Sequence, residues 1–100
     1  MILYNVTIGI DKAIEEEWVD WMKNEHIPEV LSTGIFLSHK FYKVLSHDDD
    51  QSVSYCIQYF TTDIEKFNLY LKDHAPTLIE KHMTKYKDRH VAFRTLLEEV

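Results

Sequence analysis

The side chains best suited to chemistry in this 100-residue sequence are His26 and Arg94. An imidazole has a reference pKa of about 6.5, so His26 could give or take a proton around neutrality. It follows Glu25 and stands two residues before Pro28, where a backbone break can turn a side chain toward a cavity. The alternative is that His26 lies at a helix end and satisfies its last carbonyls, where positive charge is also favoured. Arg94 offers a planar fork of donors able to hold a carboxylate, phosphate or enolate oxygen. Its alternative is an ion pair across a subunit boundary with Glu98 or Glu99. The polar residues Asn5, Thr7 and Gln58, together with His39 or Tyr42, complete the set of candidate ligand contacts.

Other chemistries have weaker signals. His74 and His82 stand eight apart, not at the i, i+4 spacing of a zinc pair. There is no HExxH pattern and no pair of cysteines, so neither a metal site nor a cofactor is expected. One axial histidine would suffice for haem, and the pattern leaves that open. Asp48, Asp49 and Asp50 lack the ligand spacing of a calcium loop and read as a solvated turn. Cys56 has no base beside it and reads as a small packed group. Phosphate-binding glycine loops and a nucleophile elbow are absent from the sequence.

These residues need elements to position them. Ile2, Tyr4, Val6, Ile8 and Ile10 alternate with Leu3, Asn5, Thr7 and Gly9, the period-two pattern of a strand. Asp11 is placed to cap a helix in which Ile14, Trp18, Trp21 and Met22 form the buried face, with a break expected between Asn24 and Pro28. Gly34 ends that segment. A second strand is expected from Ile35 to about Ser46, a hairpin loop over residues 47–51, and a returning strand from Ser52 to Phe60. Thr62 or Asp63 caps a second helix that Pro76 divides, and residues 90–98 form the last strand. The order β-α-β-β-α-β is the ferredoxin-like α+β plan: a four-stranded antiparallel sheet in order 4-1-3-2 with both helices on one face.

Face parity then sorts the candidates. With Tyr4, Val6 and Ile8 toward the helices, Asn5, Thr7, Ser54, Cys56 and Gln58 face the other side. Strand four is expected to add Ala92, Arg94 and Leu96 to that side, with Val91 and Phe93 toward the helices. Strand two adds His39 or Tyr42 according to its register. The second strand reads as apolar on both faces, with Phe36, Tyr42 and Val44 on one and Ile35, Leu37, Phe41 and Leu45 on the other. Two helices cover only one side of a sheet. An uncovered apolar face of this kind marks an interface, and a sheet-to-sheet homodimer closes it by the commonest symmetry.

Composition bounds the rest. An apolar share of 45% with 2 Gly and 2 Pro describes one compact domain over residues 1–100. The lone Cys56 allows no internal disulfide and suits a reducing compartment, so a cytoplasmic location is expected. The N-terminal segment lacks a basic start and reads as a strand rather than a signal peptide. No apolar run approaches the roughly 20 residues that span a bilayer. With net charge −6 and scattered basic residues, the chain lacks the cationic footprint of a nucleic-acid binder. The expected partners are a second copy of the chain and a small molecule, with neither nucleic acid nor membrane.

The blocks YNVT (Tyr4 to Thr7), WVDWMKNEHIPEVLSTGIF (Trp18 to Phe36), DHAPTL (Asp73 to Leu78) and VAFRTLLEEV (Val91 to Val100) resemble the domain of unknown function 4286 family across essentially the whole chain. The resemblance implies a small bacterial protein of the dimeric α+β barrel superfamily and implies no activity. That superfamily includes cofactor-free monooxygenases, haem-degrading enzymes, mutarotases and isomerases. Three readings follow. The chain is a homodimer binding a small molecule at the inner sheet face, a cofactor-independent enzyme using His26 and Arg94, or a structural dimer without a ligand.

Overall fold

The computed structural model describes residues 1–46 and 49–100; His47 and Asp48, in the expected hairpin loop, lie outside the described residues. Strand β1 (Ile2–Asp11) alternates as its sequence requires, burying every even-numbered residue from Ile2 to Ile10. It pairs antiparallel with β3 (Ser52–Thr61) on one side and β4 (His90–Glu98) on the other, and β2 (Ser38–Lys43) pairs with β3. The sheet order is β2-β3-β1-β4, as expected.

The first helical layer is not one regular helix. A 3-10 turn (Lys12–Ile14) leads into α1 (Glu15–Trp21), then a π turn (Met22–His26), then α2 (Ile27–Ser32). The cause is Pro28. It has no N–H, so the carbonyl four residues earlier has no α-helical partner. The chain widens by one residue instead, and the N–H of Ile27 bonds back to the carbonyl of Met22. The break anticipated between Asn24 and Pro28 is therefore a π turn that ends on His26. Gly34, at φ 77, then reverses the chain with its N–H on the carbonyl of Leu31.

The second layer is α3 (Ile64–Asp73) and α4 (Ala75–Lys85), separated at His74, with Pro76 in the first turn of α4. The core lies between these helices and one sheet face. Trp18, Met22, Ile27 and Val30 meet Ile8, Ile10 and Ile57 there. Beside them Tyr4, Phe36, Tyr59, Phe67 and Tyr70 form an aromatic cluster with the Phe36 and Tyr70 ring centres 4.9 Å apart and those of Tyr4 and Phe67 5.0 Å apart. Such pairs add about 0.5–1.5 kcal/mol beyond simple burial.

Three expectations are corrected. Strand β2 is only six residues long, and a bend at Leu37 resets its parity. Phe36, ahead of the strand, and Phe41, within it, therefore both turn toward the helices; Leu37 and Leu45 lie outside the strand and are exposed. The two-sided apolar strand does not exist. Second, Asp11 caps nothing; its carboxylate accepts from the Nε of Arg89 at 3.0 Å. Third, the faces of β4 are the reverse of those expected. Phe93 stands opposite Thr7 and Arg94 opposite Val6, so Arg94 is on the helix side, with Val91 and Phe93 on the open side.

Asp63, not Thr62, caps α3: its Oδ1 accepts from the N–H of Glu65 at 2.8 Å and of Lys66 at 3.3 Å. Asp63→Ala is expected to lower stability by about 1 kcal/mol in urea unfolding. An unchanged midpoint would mean that the cap does not hold this helix.

Candidate functional site

The register of the sheet divides the candidate residues into two groups. Asn5, Thr7, Gln58 and Tyr42 share the open face, with Asn5 opposite Gln58, Thr7 opposite Cys56 and Tyr42 opposite Cys56 on the other side. Asn5 Nδ2 donates to Thr7 Oγ1 at 3.0 Å, and Thr7 Oγ1 lies 3.6 Å from Cys56 Sγ. The Thr7 hydroxyl thus sits between the Asn5 amide and the Cys56 thiol. His39, opposite Tyr59, falls on the helix-facing side but is exposed.

His26 and Arg94 meet elsewhere, between the sheet and the helical layer. They line one cavity with Tyr4, Tyr70 and His82, over a floor that includes Val6, Met22 and Leu78. The cavity has about 30 Å3 of free space, enough for one or two water molecules. β1 delivers Tyr4, β4 delivers Arg94, the π turn delivers His26, and α3 and α4 deliver Tyr70 and His82. Arg94 is exposed at the mouth. It stands close enough to the Tyr4 hydroxyl to oppose the burial that raises this group, and the neutral phenol keeps a proton to donate.

The electrostatics follow from burial. The His26 imidazole is pushed down to about 4, first by burial, with Arg94 and Lys81 adding to the effect and Glu29 opposing it. His82 is pushed down to about 3 by burial, then by His90, His26 and Arg94. Both rings are therefore neutral at pH 7. Burial raises Tyr4, while Arg94 works against that rise; Tyr59 and Tyr70 are raised as well. His82 accepts from the indole Nε1 of Trp18 at 2.9 Å, and its ring centre lies 5.9 Å from that of His26 and 4.7 Å from that of His90. Among the described residues, no group of three His, Cys, Asp or Glu side chains could hold a metal ion.

Sequence reasoning singles out His26 and Arg94, which the structure places along one cavity, but sets Arg94 on the wrong face, and it weighs His82 only as a partner for His74. The missed signal is helical spacing. Ala75, Leu78 and His82 recur on one buried stripe of α4, so His82 points where its apolar neighbours point. Tyr4 reads from the sequence as core alone and Tyr70 draws no notice there; both line the cavity.

The sheet order and the helices on one face define a ferredoxin-like α+β protein. A family model described as "Domain of unknown function (DUF4286)" matches residues 1–100, and the chain belongs to that family. Among curated proteins, none matches the chain in sequence. Among solved structures it is similar to HapK from Hahella chejuensis, at TM-score 0.71 and 12% identity over 100% of this chain and 93% of that one. It is also similar to SnoaB, a cofactor-independent oxygenase from Streptomyces nogalater, at TM-score 0.64 and 15% identity over 99% of this chain and 93% of that one. A dimeric ferredoxin-like protein from an uncultured marine organism gives TM-score 0.62 and 18% identity over 100% of this chain and 95% of that one. At these identities the likeness is one of fold. No helix among the described residues is long and apolar enough to cross a membrane.

Because His26 and His82 are depressed in the folded chain, the unfolded chain binds more protons than the folded one below about pH 6.5. Stability is therefore complete above that value and falls as the pH drops toward 4. Urea unfolding at pH 7 and pH 5 is expected to differ by about 2–4 kcal/mol. Equal stabilities at the two pH values would contradict the buried, neutral state of these rings.

Proposed function

We propose that this protein is a homodimer that binds a small organic anion, a carboxylate or an enolate, in the cavity on the helix side of its sheet. Arg94, Tyr4 and His26 are the contacts. The observation that carries this reading is the setting of Arg94. Its guanidinium stands against tyrosine and histidine side chains, and no ion pair among the described residues involves it. Glu99, one of its expected partners, lies 3.9 Å from the N-terminal amine. A cation beside a half-closed polar cavity, with no carboxylate on it, favours an anionic oxygen. This moves the ligand from the inner sheet face to the opposite side of the same strands. At 30 Å3 the space must widen to admit an organic molecule, and the exposed Arg94 at its mouth is the group free to move.

Dimerisation rests on the open face. Val91, Phe93 and Leu97 are 73%, 63% and 46% exposed there, beside Leu3 and Phe60. A strand whose apolar side faces away from its own helices needs a second cover, and Asn5, Thr7 and Cys56, linked to one another, form the polar middle of that interface. The likeness to the marine protein, a dimeric ferredoxin-like protein, supports the same reading. Sedimentation at micromolar concentration is expected to give a dimer, with Phe93→Asp folded and monomeric. A folded monomer of the unaltered chain would rule the interface out.

A second reading is a cofactor-independent enzyme, favoured by His26 and Arg94 lining one cavity and by the likeness to SnoaB. An anion on Arg94 would cancel part of the field that lowers the His26 pKa, so binding itself would make the imidazole a stronger base. Native mass spectrometry of protein purified from its own host tests the binding. The expected result is a retained small organic mass in the unaltered chain that Arg94→Ala loses. No such mass, or equal retention by Arg94→Ala, would count against the cavity. If His26→Ala keeps the mass but abolishes its conversion, the enzyme reading holds.

A further inference from the structure

We propose that His82 presents its Nδ1–H as a fixed donor to the molecule in the cavity, and that Trp18 is the positioning residue that sets this tautomer. The inference rests on the cavity reading above and sharpens its ligand class. An indole N–H can only donate. Its 2.9 Å bond to His82 Nε2 therefore requires a lone pair on that nitrogen; a proton there would place two donors head to head. The ring's proton must then be on Nδ1.

The position of Nδ1 follows by accounting. His90 donates its own Nδ1–H to the carbonyl of Tyr86 at 2.8 Å, and no hydrogen bond joins the two imidazoles, whose ring centres lie 4.7 Å apart. No hydrogen bond found among the described residues uses Nδ1 of His82. The one sealed side-chain polar atom left unpaired among the described residues is the Tyr86 hydroxyl, so His82 Nδ1 is not closed off from open space. His82 itself is 5% exposed, and the space it borders is the cavity. Trp18, at 0% exposed and packed on Tyr55 and Phe41, has no freedom to release the bond.

Three groups then offer protons to one space: the Arg94 guanidinium, the Tyr4 hydroxyl and the His82 Nδ1–H. The matching ligand carries acceptors only, such as a carboxylate or the paired oxygens of an enolised dicarbonyl. An ammonium would meet the Arg94 cation and the His82 N–H, with the neutral His26 ring left as an acceptor.

Imidazole 15N NMR of the ligand-free protein tests the tautomer without any ligand or variant. His82 is expected as the Nδ1–H form, and Trp18→Phe is expected to mix in the Nε2–H form. A dominant Nε2–H signal in the unaltered chain overturns the inference. With 2-hydroxybenzoate as the probe, the His82 Nδ1 proton and the Arg94 Nε proton should shift together. His82→Asn keeps an N–H near the δ position and should bind within about threefold of the unaltered chain. His82→Gln places its amide toward Trp18 and should bind about tenfold more weakly, a change of about 1.4 kcal/mol. Equal binding by the two variants, or an Arg94 shift that leaves His82 unmoved, overturns the donor role while the cavity reading stands. If neither Arg94 nor His82 shifts, the cavity reading falls and the donor role falls with it.

Discussion

The register that sets Val6 opposite Arg94 governs both faces of this sheet. Directly opposed residues in an antiparallel pair share a face. Since Val6 must face the helices, Arg94 faces them too, and its neighbours Phe93 and Val91 are carried to the open side. Gly9 helps to hold this arrangement. A Cβ there would come within 3.2 Å of Val91 Cγ2, so the glycine leaves room for the valine on the open face. A shift of one residue would exchange the cation for the apolar pair, removing the donor from the cavity and the cover-seeking patch from the sheet.

The helical layer completes the cavity by a different constraint. Pro28 forces the π turn, and that turn ends on His26 and aims it inward beside His82. The layer is anchored at its other end by Glu15, which accepts from the Tyr55 hydroxyl at 2.5 Å and lies 3.1 Å from Lys43 Nζ. Those contacts hold the Glu15 carboxyl below its usual range and push the Tyr55 hydroxyl, already raised by burial, up to about 12. Between the two anchors Trp18 bridges to α4 through His82, linking the two helical layers by a single buried hydrogen bond. A neutral imidazole suits that position, because charging His82 would place a cation beside His90, His26 and Arg94 at a site where burial already disfavours charge.

Element order and strand order were legible because they rest on periodicity: the alternation from Ile2 to Ile10, the proline in each helical layer, the acidic cap before α3. Faces were legible only where one side was plainly apolar. In β4 the larger apolar residues, Val91 and Phe93, point outward, and a rule that sends apolar groups to the core reads such a strand backwards. In β2 a bend at Leu37 broke the parity that assigned its faces. His82 was hidden for another reason. Its partner, Trp18, lies 64 residues away, and no local pattern reveals a hydrogen bond across that separation.

The most direct test is the location of the Arg94 side chain, measured by 1H–1H NOEs in isotope-labelled protein. Contacts are expected from the Arg94 side-chain protons to the rings of Tyr4 and His82, and from Phe93 to Thr7. Contacts from Arg94 to Thr7 or Gln58, with Phe93 against the helices, would contradict this placement and the cavity built on it.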